Sequence, residues 1–525
     1  MLNSNLFSLL NISLIATLTI INAVWVYTFV VYTKVYRNSP KIINPQKSTS
    51  GMQSPSNIGP RSKETNLHCS YKHESTLPIV SIIVPARNEE SEICRCLTSL
   101  LSQQYPNFEI VAIDDNSSDN TLKVMQKIRT EYCQSINLKS ENKPLDLQQS
   151  VNELQSNSSP TTINNLASEI RERQKDNLTL TVSLQTPIYT NTNSSNNFEK
   201  ERLKIISLKD KPEDWAAKTW ASQQGFLHSI GDIIIFTDAD TCYVDNNTIL
   251  ATISYVLEEN LDILTGFPFI ELRDFGSKAI SPVWRLIDTV FGTNLTDVND
   301  PKSDAANLNG CFIAIRRKAF QDLGTYQAVR NSIREDEALG MRAKQSGYKI
   351  REVCMEDSLT ALWSRDFRTL WWGIARTIIP IFMDKRRRTK IVINVLIVFL
   401  MGTLPFMILP YSLSISEHFS NSIISQFGFN INRSNVSQLL PDSQAHLTSL
   451  ILLLNLSACF MLFVGSAAIA RREFKISSLY ASIAPLSAAF IVVAVITHII
   501  SLAIVHNKRG KIVEWHGRKF VFPQK

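Results

Sequence analysis

The stretch DIIIFTDADT, residues 232–241, decides the fold. Its apolar run Ile233–Phe236 predicts a buried β-strand. Asp238 and Asp240 follow, and residues two apart on a strand point the same way, beyond its carboxyl end, where open parallel sheets bind ligands. Two close carboxylates repel unless a cation lies between them, and hard divalent cations take carboxylate oxygens. The pair therefore predicts a metal site that holds a diphosphate, and a solvated turn is the alternative.

The neighbouring segments alternate between strand and helix patterns. Val80–Val84 is a short β-branched run, and Ser91–Gln104 has apolar residues at helical spacing. A second strand pattern, FEIVAIDD, ends at Asp114 and Asp115. This alternation predicts an α/β fold with a mainly parallel sheet. Residues 138–200 are rich in Asn, Ser, Gln and Thr, which indicates a polar low-complexity insertion without a catalytic role.

Apolar segments near both ends are long enough to cross a bilayer, for which about 20 residues are needed. One segment, Leu6–Val31, lies near the N-terminus and lacks the basic start and small-residue cleavage site of a signal peptide. Three more lie near the C-terminus: roughly Ile391–Leu413, Leu447–Ala470 and Leu479–Val505. We therefore expect a multi-pass protein of the cell membrane.

Basic residues predict the orientation of these segments. Lys34 and Arg37 follow the first segment, and residues 385–388 (KRRR) precede the second, which places the region between them in the cytoplasm. Simple alternation of spans would put the C-terminal tail outside, whereas its Lys and Arg content predicts the inside. A re-entrant segment, such as the one broken by Pro485, would remove this conflict, and the sequence leaves both interpretations open.

Composition agrees with a membrane-associated protein that binds anions. The chain of 525 residues has a net charge of +7, which suits nucleotides or lipid head groups, and only 19% charged residues. Its eight cysteines show no zinc-binding pattern. The predicted domains are an N-terminal transmembrane helix (1–33), a linker (34–77), a cytoplasmic catalytic domain (78–388, including the insertion) and a C-terminal membrane region with a basic tail (389–525).

Five motifs in this order resemble those of family 2 glycosyltransferases. They are VSIIVPARNEE, IVAIDDNSSDNT, DWAAKTWASQQG, FTDADT and REDEALGMRAKQSGYKI, within residues 77–372 and outside the insertion. The resemblance implies a membrane enzyme whose cytoplasmic nucleotide-diphospho-sugar domain has the GT-A fold. FTDADT is similar to the DxD metal motif of that family, and REDEAL is similar to its ED motif.

The resemblance also implies roles for individual residues on the donor side. Asp240, with Asp238, would bind Mg²⁺ or Mn²⁺, and Asp115, with Asp114 as the neighbouring alternative, would contact the nucleotide. The residues implied to bind the nucleotide sugar are Pro85, Arg87, Glu89, Asp115, Lys218 and Asp238. Lys218 could contact a phosphate or could be an ordinary solvated lysine on a helix.

On the acceptor side, the resemblance implies that Asp336 is the general base, which takes the proton of the attacking hydroxyl. Acids are also favoured in the first turn of any helix, and Glu335 is the next candidate for the base. Gly310, in NLNGCFIAIRRKAF, would permit close backbone approach, or would form an ordinary tight turn. Trp371 and Trp372 are further acceptor-side candidates and suit a membrane interface.

One departure from the family pattern narrows the expected reaction. Processive members carry a (Q/R)xxRW motif after the ED motif, and DFRTLWWGIARTIIP does not contain it. The tail EWHGRKF resembles the subgroup of carotenoid-acid glucosyltransferases and hopanoid-associated glycosyltransferases. We therefore expect inverting transfer of one sugar, from a UDP-linked donor, to the hydroxyl or carboxylate of a lipid or other amphipathic acceptor, with no nucleic acid involved. The alternatives are a processive polysaccharide synthase and a non-catalytic membrane scaffold with a degenerate transferase domain.

Overall fold

The structure is a computed structural model. It describes the following residues: 2–38, 40–41, 77–140, 201–291, 298–303, 305–306, 308–332, 334–383, 385–426, 442–506, 512–515 and 518–521. Most of the predicted insertion and of the predicted linker therefore lies outside the described residues.

One large sheet forms the centre of the catalytic half. Its strands are β1 Val80–Ala86, β2 Phe108–Asp115, β3 Leu203–Leu208, β4 Ile233–Thr237, β5 Thr241–Tyr243, β6 Ile263–Glu271, β7 Phe312–Arg316 and β8 Ile350–Leu362. They lie in the order β3-β2-β1-β4-β7-β6-β8-β5. A separate two-stranded sheet near the C-terminus joins β9 Ile512–Trp515 to β10 Arg518–Val521.

The large sheet combines a parallel half with a mixed half. The pairs β1–β2, β1–β4, β2–β3 and β6–β8 are parallel, whereas β4–β7, β6–β7 and β5–β8 are antiparallel. Both faces are covered, because Ile82 and Ile83, which point to opposite faces of β1, belong to two different buried clusters. The predicted α/β class, with apolar helices near both ends, is confirmed. The antiparallel strand β7 is a feature that the sequence did not indicate.

Thirteen α-helices are described, in addition to short 3₁₀ and π turns. They are α1 Leu2–Asn38, α2 Ile93–Leu101, α3 Thr121–Ser140, α4 Ala217–Leu227, α5 Thr248–Glu258, α6 Phe275–Phe291, α7 Arg317–Asp322, α8 Glu335–Gln345, α9 Phe367–Met383, α10 Lys385–Val398, α11 Leu404–Gln426, α12 Asp442–Arg472 and α13 Ala484–His506. Helix α3 runs to Ser140, so it extends past the predicted start of the insertion.

Strand β4 lies in the middle of the sheet and delivers its polar end to the surface. All five residues of β4 are buried, between the parallel strand β1 and the antiparallel strand β7. An entirely buried strand requires an apolar run, and IIIF supplies it. Helix α8 approaches the same edge closely at Gly340, where a Cβ atom would clash with the carbonyl of Ala306. A side chain at this position would push away the helix that carries the predicted general base.

Four segments are long and apolar enough to cross a membrane. They are Leu9–Lys34, Val395–Ser416, His446–Arg472 and Ser478–Ser501, close to the four predicted from the sequence. The first helix extends to Asn38, beyond the predicted end at residue 33. The chain then meets the catalytic domain directly, since the Cys354 amide of β8 donates a hydrogen bond to the Pro40 carbonyl at 2.8 Å.

Candidate active site

The two aspartates after β4 lie in a tight turn. The Thr241 amide donates to the Asp238 carbonyl at 3.1 Å, which closes the turn, and Ala239 between the two acids is buried. Asp238 and Asp240 are both partly exposed. We expected an extended strand at Asp238 and Asp240. The described backbone there is a turn that follows the carboxyl end of the strand.

Lys218 connects the DxD turn to the ED motif. Its Nζ lies 2.6 Å from Asp238 Oδ1 and 3.1 Å from Glu335 Oε1. Burial disfavours the charged amine, but the carboxylates of Asp238, Glu335 and Asp336 outweigh it and hold the pKa of Lys218 well above its usual value. The amine is therefore a fixed cation within the site. This geometry does not fit the alternative of an ordinary solvated helix lysine.

Asp336 lies in the first turn of α8, one residue after Glu335. Its Oδ1 accepts a hydrogen bond from the Glu337 amide at 2.8 Å. Burial and the neighbouring Glu335 carboxylate raise the pKa of Asp336 to about 6, against the opposing effect of Lys218. A carboxyl with this pKa is ionised at neutral pH and is a stronger base than an ordinary aspartate, as a general base requires.

Gly310 leaves the space in front of these groups open. A Cβ atom at this position would lie 2.8 Å from Lys218 Nζ and 3.2 Å from Asp336 Oδ2. Any side chain would displace one of them, so the absence of a side chain keeps the ammonium and the carboxylate accessible. The structure thus brings together Gly310, Lys218, Asp238, Glu335 and Asp336 from four separate segments of the chain.

The predicted nucleotide side lies at the ends of β1 and β2. Arg87 Nη1 donates to the Asp115 carbonyl at 2.6 Å and lies 3.9 Å from Asp115 Oδ2. Asp114 points toward β3, where the Ser207 hydroxyl donates to it at 3.4 Å. Pro85 lies near the end of β1 and pairs with Ile113 of β2, and Arg87 directly follows this strand. Of the two neighbouring aspartates, Asp115 is therefore the one that faces the loop after β1.

The loops after β1 and β2 brace each other. Asn88 and Asn116 both have positive φ, at 56° and 53°, a conformation that asparagine tolerates better than most residues. Asn88 Oδ1 accepts from the Ser118 amide at 2.8 Å, and the Glu89 amide donates to the Thr121 hydroxyl at 2.8 Å. These bonds fix the backbone that presents Arg87 and Glu89.

Glu89 faces the DxD turn from the other side and forms an ion pair with Arg365. Burial raises the pKa of Glu89 to about 8, against the effect of Arg365, and the charges of Asp240 and Asp238 raise it further. The turn is thus a site of concentrated negative charge. No cluster of three or more metal-binding side chains occurs among the described residues. Two carboxylates are nonetheless enough for Mg²⁺, which usually keeps several waters and takes further ligands from substrate phosphates.

Sequence reasoning missed a set of ion pairs beside Glu89. Arg273 binds Glu92 at 2.6 Å and Glu271 at 3.0 Å, and Arg95 binds Glu271 at 2.5 Å. Together with Arg365, these residues tie α2 to the ends of β6 and β8. Apart from Arg273 and Glu271, which are two positions apart, the partners are separated by between about 175 and 280 positions, and no local pattern could have paired them.

Trp371 and Trp372 lie on α9, away from the carboxylates described above. Trp371 packs against Phe490 and His498 of α13, with ring centroids at 5.6 and 4.8 Å, and Trp372 lies 6.1 Å from His498. Among the described contacts, none joins either tryptophan to Asp336. Their position is at the junction with the membrane helices.

Comparison with known proteins finds a family for one segment of the chain. Residues 81–160 match the family model described as glycosyl transferase family 2. This segment is similar to part of a family 2 glycosyltransferase. The match begins in β1 and includes β2, so it covers the strands that present Arg87 and Asp115. Lys218, Asp238 and Asp336 lie beyond the matched residues.

Individual relatives match the chain over short lengths. The beta-monoglucosyldiacylglycerol synthase of Trichormus variabilis is 40% identical over 67 residues, which is 12% of this chain and 14% of that protein. Glycosyltransferase AglE of Haloferax volcanii is 40% identical over 60 residues, 11% of this chain and 20% of that protein. The matched segment thus spans a fifth or less of these relatives.

Solved structures align with this chain over longer stretches. The mannosyltransferase PcManGT from Pyrobaculum calidifontis, in complex with GDP-Man and Mn2+, aligns with a TM-score of 0.39 and 12% identity, over 93% of this chain and 99% of that chain. S. aureus TarS 1-349 in complex with UDP-GlcNAc aligns with a TM-score of 0.31 and 14% identity, over 85% and 96%.

Proposed function

We propose that this protein is a membrane-bound inverting glycosyltransferase. It moves one sugar from a nucleotide-diphospho-sugar, UDP-linked in our proposal, to the hydroxyl or carboxylate of a lipid or other amphipathic acceptor. The catalytic domain lies on the cytoplasmic side of the cell membrane. The observation that carries this proposal is the cluster in which Lys218 joins Asp238 to Glu335, with Asp336 beside it.

The donor occupies the edge of the sheet between the DxD turn and the loops after β1 and β2. Asp240 and Asp238 would hold Mg²⁺ or Mn²⁺, which neutralises charge on the diphosphate when it is bound. Asp115 and Arg87 lie where the nucleoside would be recognised. Lys218 supplies a positive charge on the other side of Asp238, within reach of the departing diphosphate.

The oxygen of the acceptor hydroxyl forms the new bond to the anomeric carbon, while the bond from that carbon to the diphosphate breaks. Asp336 receives the proton that this hydroxyl loses. Glu335 stays bound to Lys218, so the two neighbouring acids have separate roles. Gly310 leaves the space in which the two substrates would meet. For a carboxylate acceptor no proton needs to be removed, and Asp336 would then matter much less.

Helices next to this site support an acceptor that reaches it from the membrane. Arg365, which binds Glu89 beside the DxD turn, lies two residues before α9, and α9 packs on α13. A lipid is also the product named for the Trichormus variabilis relative. These observations favour a lipid over a soluble acceptor.

The test is transfer of labelled sugar in membranes that contain the full chain. Membranes are incubated with Mn²⁺ and, in turn, UDP-glucose, UDP-N-acetylglucosamine, UDP-galactose and GDP-mannose, and lipids are extracted and analysed by mass spectrometry. We expect one UDP-sugar to add a single hexose-type mass to a lipid, and, where the acceptor group is a hydroxyl, Asp336→Asn membranes to form far less of this product. Transfer from GDP-mannose alone would correct the donor, and label found only in water-soluble products would exclude the lipid acceptor.

A processive synthase is the second candidate. A hyaluronan synthase of Pasteurella multocida is 41% identical over 56 residues, 11% of this chain and 6% of that protein. The same incubation separates the two reactions, because a processive enzyme would yield a ladder or a high-mass polymer at limiting acceptor. A single added mass at every donor concentration would exclude it.

A further inference from the structure

Three of the four apolar segments pack side by side like membrane-crossing helices. Phe406 of α11 packs on Phe463 of α12 with ring centroids at 5.4 Å, and further along Asn455 of α12 donates to the Ser412 hydroxyl of α11 at 2.9 Å. On α1, Asn22 donates to the Leu454 carbonyl of α12 at 2.9 Å. The contacts move forward along α11, from Phe406 to Ser412, and backward along α12, from Phe463 to Asn455. The two helices are therefore antiparallel.

The fourth segment, α13, has different neighbours. The Ser487 hydroxyl donates to the Ala279 carbonyl of α6 at 2.9 Å. Phe490 packs against both Phe367 and Trp371 of α9, with ring centroids at 5.2 and 5.6 Å. One face of α13 therefore follows two helices that begin on the catalytic domain.

The starts of α6 and α9 are held on that domain. Asp274 accepts from the Ser277 amide at 2.9 Å in the first turn of α6, and its other oxygen accepts from the Ser364 hydroxyl at 3.1 Å. Arg365, the next residue, is paired with Glu89 beside the DxD turn. Both helices therefore start at the same face of the catalytic domain, next to each other.

The contacts of α13 stay at this face over most of its length. Ser487 and His498 are eleven positions apart, which is about 16 Å along an α-helix. His498 nevertheless contacts Trp371, which lies only four positions after the start of α9 at Phe367, about 6 Å along that helix. A helix that crosses the bilayer would have left this level by His498.

Helix α13 also contacts the second apolar segment, Val395–Ser416. Ala488 of α13 lies against Gly402, in the π turn Phe399–Thr403 that precedes α11. Gly402 lies seven positions after Val395, about 10 Å along a helix, so α13 meets this segment in its first half. The exposed residues Leu486, Val493, Ile496 and Ile500 of α13 share one face.

We propose that α13 does not cross the bilayer, but lies in the leaflet beneath the catalytic domain and returns the basic tail to the catalytic side. Leu486, Val493, Ile496 and Ile500 contact lipid acyl chains, while the opposite face packs on α6 and α9. The partner of this surface is the membrane itself. Three spans, α1, α11 and α12, then cross.

Charge supports this arrangement. The tail sequence NKRGKIVEWHGRK, residues 507–519, would lie on the same side as Lys34 and Arg37, which follow α1. Basic residues near membrane segments favour the cytoplasmic side, and they are attracted to the anionic surface of that leaflet. If all four segments crossed the membrane, this basic tail would lie on the side opposite to the cytoplasm, which basic segments avoid.

The first test compares the tail with the segment between α11 and α12. In the full chain, Gln524→Cys and Ser437→Cys are made separately and exposed on intact cells to a membrane-impermeant maleimide carrying polyethylene glycol, with the unmodified chain as baseline. We expect one of the two to react on intact cells and the other only after lysis. Reaction of both under the same condition would put them on the same side and would contradict the proposal, whichever way the whole protein is oriented.

The second test measures depth directly. Spin labels at Leu486→Cys, Val493→Cys and Ile500→Cys, with reactive native thiols replaced by serine, are compared with labels at Leu453→Cys and Phe460→Cys of α12. We expect the three α13 labels to report the same depth within about one helical turn, roughly 5 Å, while the α12 pair differs by about 10 Å. A steady change of about 20 Å along α13 would show that it crosses.

Discussion

Lys218 and Arg285 are two cations that each lie between carboxylates, but they bind them in different ways. At the sheet edge, Lys218 lies between Asp238 and Glu335. At the membrane junction, Arg285 of α6 lies 2.7 Å from Glu473, just after α12, and 3.2 Å from Asp288.

The choice of cation explains the difference between the two clusters. Arg285 binds with two parts of its planar guanidinium and also lies over the ring of Phe267 at 5.3 Å, so its geometry is fixed. Lys218 is a point charge on a flexible stem, and its partners lie in a turn and in the first turn of a helix. The junction suits permanent packing of the catalytic domain on the membrane helices. The sheet edge suits partners that change when substrate binds.

The comparison predicts the largest loss of turnover for the carboxylate beside Lys218. Asp336→Asn keeps the size of the side chain and removes its basicity, so we expect turnover with a hydroxyl acceptor to fall by roughly 10²–10⁴-fold. Donor affinity should change little. Single-turnover kinetics and donor titration on the same membranes measure the two effects separately.

Glu337→Gln is the control for this variant. Glu337 pairs with Arg334 at 3.0 Å in the same turn, and we expect turnover close to that of the unmodified chain. If Asp336→Asn lost donor binding instead, Asp336 would belong to the nucleotide site, and Glu335 would become the next candidate for the base.

The metal site should show the next largest effect. Asp240→Asn removes one of two carboxylates, and the lost charge stabilisation of several kcal/mol corresponds to roughly 10²–10³-fold in turnover. We expect excess Mn²⁺ to restore part of the loss, because weaker binding can be saturated. Turnover that is unaffected both by this change and by EDTA would exclude a metal at this turn.

Lys218→Met should have a smaller effect on rate and a specific effect on pH dependence. Removing an ionic hydrogen bond costs about 1.5–3 kcal/mol, which is roughly 10–100-fold in turnover. In the unmodified chain, activity should fall as pH drops below about 6, where Asp336 becomes protonated. Because Lys218 lowers the pKa of Asp336, the variant should lose activity at a higher pH. A pH–rate profile with an unmoved acid limb would show that Lys218 does not act on Asp336.

The smallest effect on turnover is expected at the junction. Glu473→Gln leaves Arg285 with the more exposed Asp288, and we expect a loss of stability of up to about 3 kcal/mol. Turnover per folded molecule should be unchanged. Thermal inactivation in membranes, measured beside the initial rate, separates the two. A lower rate without a lower inactivation temperature would mean that the junction takes part in catalysis.

The sequence predicted much of the framework because the signals involved are local. The apolar run before Asp238 predicts a buried strand that ends in acids, and the structure has that strand as β4. The position of Asp336 in the first turn of a helix was also expected, and α8 begins at Glu335. The antiparallel strand β7 was not expected, since strand direction depends on how the chain returns to the sheet and not on side-chain spacing.

Sequence alone determined which residues stand at the ends of strands and helices, because hydrophobic periodicity and charge are properties of neighbouring positions. Only the tertiary structure decided that Lys218 joins Asp238 to Glu335, and that Arg365 meets Glu89, since those contacts close over long stretches of chain. The placement of α13 in the membrane also depends on contacts between distant parts of the chain. About 20 apolar residues can cross a bilayer or lie along one leaflet, and the choice depends on which helices their faces meet.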